Sequence, residues 1–573
     1  MKGESGMKSK KVRFLLTGIL ILAMVTGGAG CSKESNGGNV TKDVSGDTPK
    51  SETDKDMEEA KTTPLGKYPK TITYTMAKET TAEARMAEGD TYENNGYTRY
   101  LLDKLNIQNE NVFEANTTTA YKQKVSLAIA SGELPDIMIV NDLSTLDQLV
   151  ENDLIQDLTD VHNNCMSDKI KEIYDSYNGR IWDMVTYDGK IMAIPGTSIE
   201  GSNKLLWLRK DWMDKLGLAE PKTLEDVEHI LSEFVTKDPG GNGKGKTIGL
   251  VGLPTIAGSY GGSYTWDPLF ASLFAYPKQW MKNGNGEVYY GSTAPEMKSA
   301  LGVLSDWYSK GLIDTQFAVR EYDDVTSLIV NGTAGAAFGP WWLPRGDSYE
   351  MNKEAEWVPY VCPLDKNGEL TYYSQNPCSN YIVVRKGFEY PEITAKSLSV
   401  IFDYNRYQDS KDNELTKYQT ETGVHAMANP LSINVDYNDA VSISHKNLQD
   451  ALDKKTDPSN LMSFEYGLYE TISGYLADPK NATGDQWKTY MARMVGSEAA
   501  DDSRLKAVDP VFFGTTESMS LKWGILQKLE EEALLKIVVG DKPLDYFDEF
   551  VSSWKAQGGE QITKEVTEAV NSK

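Results

Sequence analysis

The chain has 573 residues and a formal net charge of −25, from 59 Lys+Arg against 84 Asp+Glu. That length suits two or more domains or one large two-lobed unit, and the acidity argues against a nucleic-acid binder. The histidines, at 162, 229, 425 and 445, cannot form HExxH or another close-spaced ligand cluster, and neither a Walker A sequence nor GxSxG occurs.

The chain opens with Lys2, Lys8, Lys10, Lys11 and Arg13 against Glu4, then an apolar run from Phe14 to Val25, then Thr26-Gly27-Gly28-Ala29-Gly30-Cys31. A basic stretch, a short apolar run and small residues before a cut site describe a signal peptide over residues 1–30. The 12-residue run is too short for a stable membrane anchor. Cys31 after the small residues resembles a bacterial lipobox, departing from it at Gly28, where Leu is commonest. The resemblance implies lipidation at Cys31. Removing the leader, with five basic residues and one acidic, takes the charge from −25 to −29. Residues 31–66 are nearly free of apolar side chains and are expected to form a disordered tether, with a reach of roughly 30–35 Å. Cys362 and Cys378 flank the turn signal Asp365-Lys366-Asn367-Gly368, so a hairpin disulfide and free buried thiols both stay open, with Cys165 odd.

From Tyr68 the pattern changes. Ile72, Tyr74 and Met76 alternate with threonines as in a strand, residues 96–105 read as a helix, and 111–114 as a second strand. A helix over 121–130 stops at Ser131-Gly132, and 136–140 is a third strand. This order predicts a parallel α/β sheet. Ligands of such sheets sit beyond the strand C-termini, which places Lys78, Glu79, Asn141 and Asp142 at a site rim. A second α/β block starts with a strand at 205–209, a helix ended by Gly217, and another opened by Thr223 with Asp226 three residues on. The tail from Leu521 to Asn571 reads as helices broken at Gly540 and Gly558-Gly559.

Several segments, in this order, resemble the family 1 extracellular solute-binding proteins. They are Ala130-Ser131-Gly132-Glu133-Leu134-Pro135-Asp136-Ile137, Asp188-Gly189-Lys190-Ile191-Met192-Ala193-Ile194-Pro195, Leu206 to Thr223, Ala336 to Trp342, Phe513 to Met519 and Gly540 to Gly559. The resemblance covers roughly residues 68–570. It implies two α/β lobes joined by a hinge, the periplasmic-binding-protein-like fold also seen in maltose-binding proteins. One lobe would hold 68–198 plus 364–404, the other 199–363 plus 405–573. It also implies a monomer without cofactor or catalysis. Such a protein, lipid-anchored at the extracellular face of the cell membrane, would capture a carbohydrate, expected to be an oligosaccharide, for an ABC transporter permease.

A sugar offers hydroxyls at its rim and C–H groups on its faces, so its site needs planar hydrogen-bonding groups and aromatic platforms. The chain has 12 Trp and 31 Tyr. Trp266, Trp341, Trp342 and Tyr381 are candidate platforms; adjacent strand residues face opposite ways unless the strand has ended, as Pro340 suggests, and the resemblance favours Trp341, which follows the Gly339-Pro340 pair. Arg209 ends an apolar strand, where its fork suits paired hydroxyls or a carboxylate; a salt bridge to Asp211 or Asp214 is the other reading. Residues 238–247 resemble the family's Ca²⁺ loop, but Gly240 and Lys246 stand where anionic ligands are needed, so no tight Ca²⁺ site is expected. A secreted glycosidase or lyase with paired carboxylates, and a lipoprotein presenting its ligand to a membrane kinase, are the competing functions.

Overall fold

The computed structural model describes residues 52–81, 84–199, 204–258, 262–374 and 376–571. The expected leader, Cys31 and the first part of the tether lie outside the described residues. Strand Ile72–Glu79 buries Ile72, Tyr74 and Met76 and turns Thr73 outward, the alternation that a half-buried pleated strand requires. It pairs in parallel with Ile107–Ala115 on one side and with Ile137–Val140 on the other. The intervening helices are Gly96–Leu105, opened by a capping box between Asn95 and Thr98, and Thr118–Ser131, stopped by Gly132 at φ 73°.

The expected parallel sheet is in fact mixed. Strand Cys378–Val384, far along the chain, inserts antiparallel between Ile137–Val140 and Ile194–Thr197. A second sheet runs in the order Trp357–Tyr360, Leu205–Arg209, Ala334–Gly339, Ile248–Val251. Leu205–Arg209 is antiparallel to both its neighbours. Each sheet carries its own apolar core, one around Met76, Ile139 and Ile382, the other around Leu206, Trp212 and Phe234. Helices Glu517–Val538, Tyr546–Trp554 and Glu560–Asn571 cover the second core. Gly540 (φ 81°) follows the first of these helices, and Gly558 (φ 132°) lies between the other two, a conformation that side chains beyond glycine rarely adopt.

Three expectations need correction. Residues 52–62 form a helix, so the polar segment is ordered well before residue 66. Its composition gives no sign of burial; what fixes it is Ala60 in the first core and the Cys165 thiol donating to the Lys61 carbonyl at 3.1 Å. The first lobe also does not end at residue 404. Leu415, Tyr418, Leu431, Ile433 and Val435 all pack in its core. Lastly, Asp365–Gly368 turns the chain but makes no hairpin, because Leu370–Tyr373 pairs in parallel with Leu505–Val508. Cys362 lies in the second core and Cys378 in the first, and both, like Cys165, are free buried thiols. Among the described residues no helix is long and apolar enough to cross a membrane.

Lys396 is fully buried and donates to the carbonyls of Thr63 (2.8 Å) and Gly66 (2.7 Å), stitching the N-terminal segment to the lobe. Replacing it strands two acceptors. Lys396→Met should destabilise the protein by about 2–4 kcal/mol and open the bonds N-terminal to Tyr68 to limited proteolysis. A variant that melts and digests like wild type would contradict this role.

Candidate functional site

Three neighbouring hollows share their walls. The first, about 270 Å³, lies at the C-terminal ends of the parallel strands and is lined by Lys78, Glu79, Asn141, Asn380 and Ser432 among others. The second, about 780 Å³, shares Asn380, Met427 and Ser432 with it and adds Tyr97, Phe402, Asn405 and Arg406. The third, about 600 Å³, shares Arg406, Met462 and Phe464 with the second and reaches Trp341, Tyr407, Tyr437 and Arg493. Phe402 and Tyr437 pack on the first core, while Trp341 directly follows the second sheet's strand Ala334–Gly339 and the Gly339-Pro340 pair. The three hollows together form an elongated space between residues belonging to both lobes.

Three residues of its wall carry a buried polar atom without a partner among the described residues, Ser444 in the third hollow and two asparagines in the second. The side-chain carbonyl oxygens of Asn380 and Asn429 are buried and accept no hydrogen bond from the described residues. Buried acceptors are nearly always satisfied; these two oxygens have almost no exposed surface in this form, although both residues line the second hollow. Asn380 neighbours Gly196, where a Cβ would lie 2.0 Å from its Oδ1; Gly196 therefore makes room for this amide.

The expected rim residues divide. Glu79 accepts from Thr118 at 2.6 Å and from Asn141 at 3.0 Å, and both Glu79 and Asn141 line the first hollow. Lys78 lines it too, but its ammonium donates to the Asn429 carbonyl (2.6 Å), the Pro430 carbonyl (3.2 Å) and Ser432 Oγ (3.1 Å). All three of its donors are in use, so Lys78 holds the wall and does not reach for a ligand. Asp142 is a helix cap: it accepts from Thr145 N at 2.8 Å and pairs with Lys122 at 3.2 Å.

Four other choices are corrected or confined. Arg209 sits 3% exposed, forked onto Asp211 at 2.7 and 2.6 Å and stacked over Trp212, within its own lobe. Trp266 is a fully buried core side chain donating to the Leu253 carbonyl. Tyr381 is buried in the first core; the next residue back, Asn380, faces the hollow, because successive strand residues point to opposite faces. Trp342 is 41% exposed and lines none of the three hollows, whereas Trp341 lines the third.

Arg406, Asn429, Phe464 and Arg493 escape the sequence reading. No local motif marks them, and they reach the hollow through segments far apart in the chain. One signal was available: Asn380 alternates with the candidate Tyr381.

The loop at 238–247 is held from within. The Asp238 carboxylate accepts from Asn242 N (2.9 Å), Gly243 N (2.8 Å) and Thr247 Oγ1 (2.5 Å), and these bonds, led by that from Thr247, hold its pKa below the usual carboxylate range. The turn is thus built on one carboxylate and three protein donors.

Residues 83–367 match the family model described as bacterial extracellular solute-binding protein. The chain is 24% identical over 469 residues to Lipoprotein LipO of Bacillus subtilis, covering 79% of this chain and 85% of the relative. It is also 24% identical over 465 residues to the polygalacturonan/rhamnogalacturonan-binding protein YtcQ of Bacillus subtilis, covering 78% and 83%. The fold is similar to that of the alginate-binding protein AlgQ2, with a TM-score of 0.57 at 16% identity over 88% of this chain and 98% of that one.

The site's own groups make two outcomes measurable. Burial lowers the Lys78 pKa to about 7, below its unfolded value of about 10.4. Between those values the unfolded chain binds more protons, so the stability contribution rises with pH. Lys78→Met should cost about 1–3 kcal/mol, and its deficit against wild type should widen between about pH 7 and pH 9.5 in denaturant titrations; a narrowing deficit would show the ammonium is not desolvated. For the 238–247 loop, Asp238→Ala should lower the melting temperature, while Ca²⁺ or chelator should move neither protein's. A chelator-reversible rise in wild type would reinstate a metal site. By sequence match and fold together, the chain belongs to the bacterial extracellular solute-binding proteins, which bind solutes and do not transform them.

Proposed function

We propose that the protein is a lipid-anchored, monomeric receptor that captures an oligosaccharide between its lobes and hands it to an ABC import permease. The observation that carries this reading is the run of connected hollows whose walls hold Trp341, the tyrosines at 407 and 437, and the amide residues Asn380 and Asn429. Aromatic faces suit sugar C–H surfaces, and amide acceptors suit sugar hydroxyls. The three hollows in series suit several sugar units more than one. A name recording carbohydrate-polymer binding in one relative supports the same class. The lipid anchor rests on the sequence around Cys31 and on a lipoprotein relative.

Ligand touching both lobes would stabilise the form in which the walls approach, by the difference between its contacts in that form and in the open one. No chemical step on the solute is part of this mechanism.

A thermal-shift screen against an oligosaccharide panel, followed by calorimetry, tests the proposal. A platform covering about 80 Å² of apolar sugar face contributes roughly 2 kcal/mol, so Trp341→Ala should weaken the best hit by about 30-fold. The ligand should be recovered unaltered. Unchanged affinity in Trp341→Ala removes the platform assignment, and product formation replaces the receptor reading with an enzyme.

A further inference from the structure

Arg493 stands apart from the other buried or half-buried cations of the molecule. Lys78, Lys396 and Arg209 all use their donors on backbone carbonyls or a carboxylate. The Arg493 guanidinium makes no hydrogen bond or ion pair among the described residues. It lies 4.6 Å over the Trp341 ring and 5.3 Å over the Phe464 ring, in the wall of the third hollow. Stacking holds a guanidinium by its faces, whereas its five N–H donors lie in its plane and emerge at its edges. The group therefore rests against two rings while its donors stay uncommitted among the described residues.

The carboxylates nearby are already engaged. Asp436 pairs with Arg406 at 3.6 Å, and Glu465 accepts from Asn447 at 3.2 and 3.3 Å. Glu172 accepts from Lys169 and from Tyr437 at 2.6 and 2.7 Å. Glu465 and Asp436 both favour the Arg493 charge at a distance, but neither accepts a hydrogen bond from it among the described residues. The backbone adds a further mark: Arg493 lies in a π-helical turn, Met491–Gly496, and Arg406 across the hollow lies in another, Ser399–Gln408. Such turns are rare and frequent at functional sites.

We propose that Arg493 is a specificity-determining residue that binds the carboxylate of an acidic sugar unit, so that the captured oligosaccharide carries uronic acid. This rests on the carbohydrate reading above and names the substrate class for that same site. A planar fork of donors can meet paired hydroxyls or a carboxylate, but only with the carboxylate are its two parallel bonds charge-assisted on both sides and so the stronger. The chain's net charge of −25 opposes an anion at long range, but the Debye length of about 8 Å at physiological salt confines that repulsion.

Calorimetry with trigalacturonate and with neutral galactotriose, on wild type, Arg493→Gln, Arg493→Lys and Trp341→Ala, tests it. Wild type should prefer the acidic probe. R493Q should lose about 10- to 100-fold for that probe and less than about threefold for the neutral one. R493K should recover only part of the loss, because an ammonium offers no planar fork. Affinity for the acidic probe should also fall with added salt. Melting curves of the unliganded variants establish that each is folded; should R493Q fail to fold, R493K carries the comparison.

Equal affinity of wild type for both probes, or equal losses for both in the Arg493 variants, overturns the carboxylate assignment. If Trp341→Ala still weakens sugar binding in that case, carbohydrate capture stands. If neither these probes nor any member of the neutral panel binds wild type, the carbohydrate reading fails and this assignment fails with it.

Discussion

The insertion of Cys378–Val384 between Ile137–Val140 and Ile194–Thr197 is the constraint on which the cleft depends. Three parallel strands with their crossover helices would make a lobe without it. What the inserted strand does is bring the chain back from the second sheet and place Asn380 beside the ends of the parallel strands. The segment that follows, through Val435, then packs against the same core and supplies Phe402, Arg406 and Asn429 to the hollow. Backbone hydrogen bonds in a sheet are obligatory once buried, so the return path is fixed by the ladder and not by any contact in the cleft itself.

Cations take two roles around this frame. Lys78 and Lys396 are buried structural donors that tie distant loops to strand and helix ends. Their desolvation is costly, and several carbonyls aimed at one ammonium offset it. Arg209 does comparable work within its lobe, forked on Asp211 and stacked on Trp212. Arg493 shares only the stacking. The contrast between engaged and unengaged cations separates wall from site here, since residue type and exposure alone do not: Lys78 lines a hollow and still has no donor to give.

Much of the fold was legible in the sequence because its signals are local. The helix over 96–105, the stop at Gly132, the capping box at Thr223 and the breaks at Gly540 and Gly558 all follow from propensity, periodicity and caps. The polar helix at 52–62 was illegible because its order comes from Ala60 meeting the first core and from Cys165, remote in sequence. For the same reason the expected lobe boundary falls too early: residues 405–435 carry no compositional break, only apolar side chains that happen to meet the first core.

The candidate site was less legible. Trp341, Glu79 and Asn141 can be found because strand ends are where α/β sheets present side chains. Tyr381 has the wrong parity for the hollow and Trp266 has only its residue type to recommend it, and both are core. Taken by itself, the chain determined its secondary structure, its two-block order and its membership of a solute-binding family, each through short-range patterns. Which of its many aromatic and charged groups face a shared hollow was decided only in three dimensions. That outcome depends on strand parity, on which donors are already engaged, and on a crossing that joins residues hundreds of positions apart.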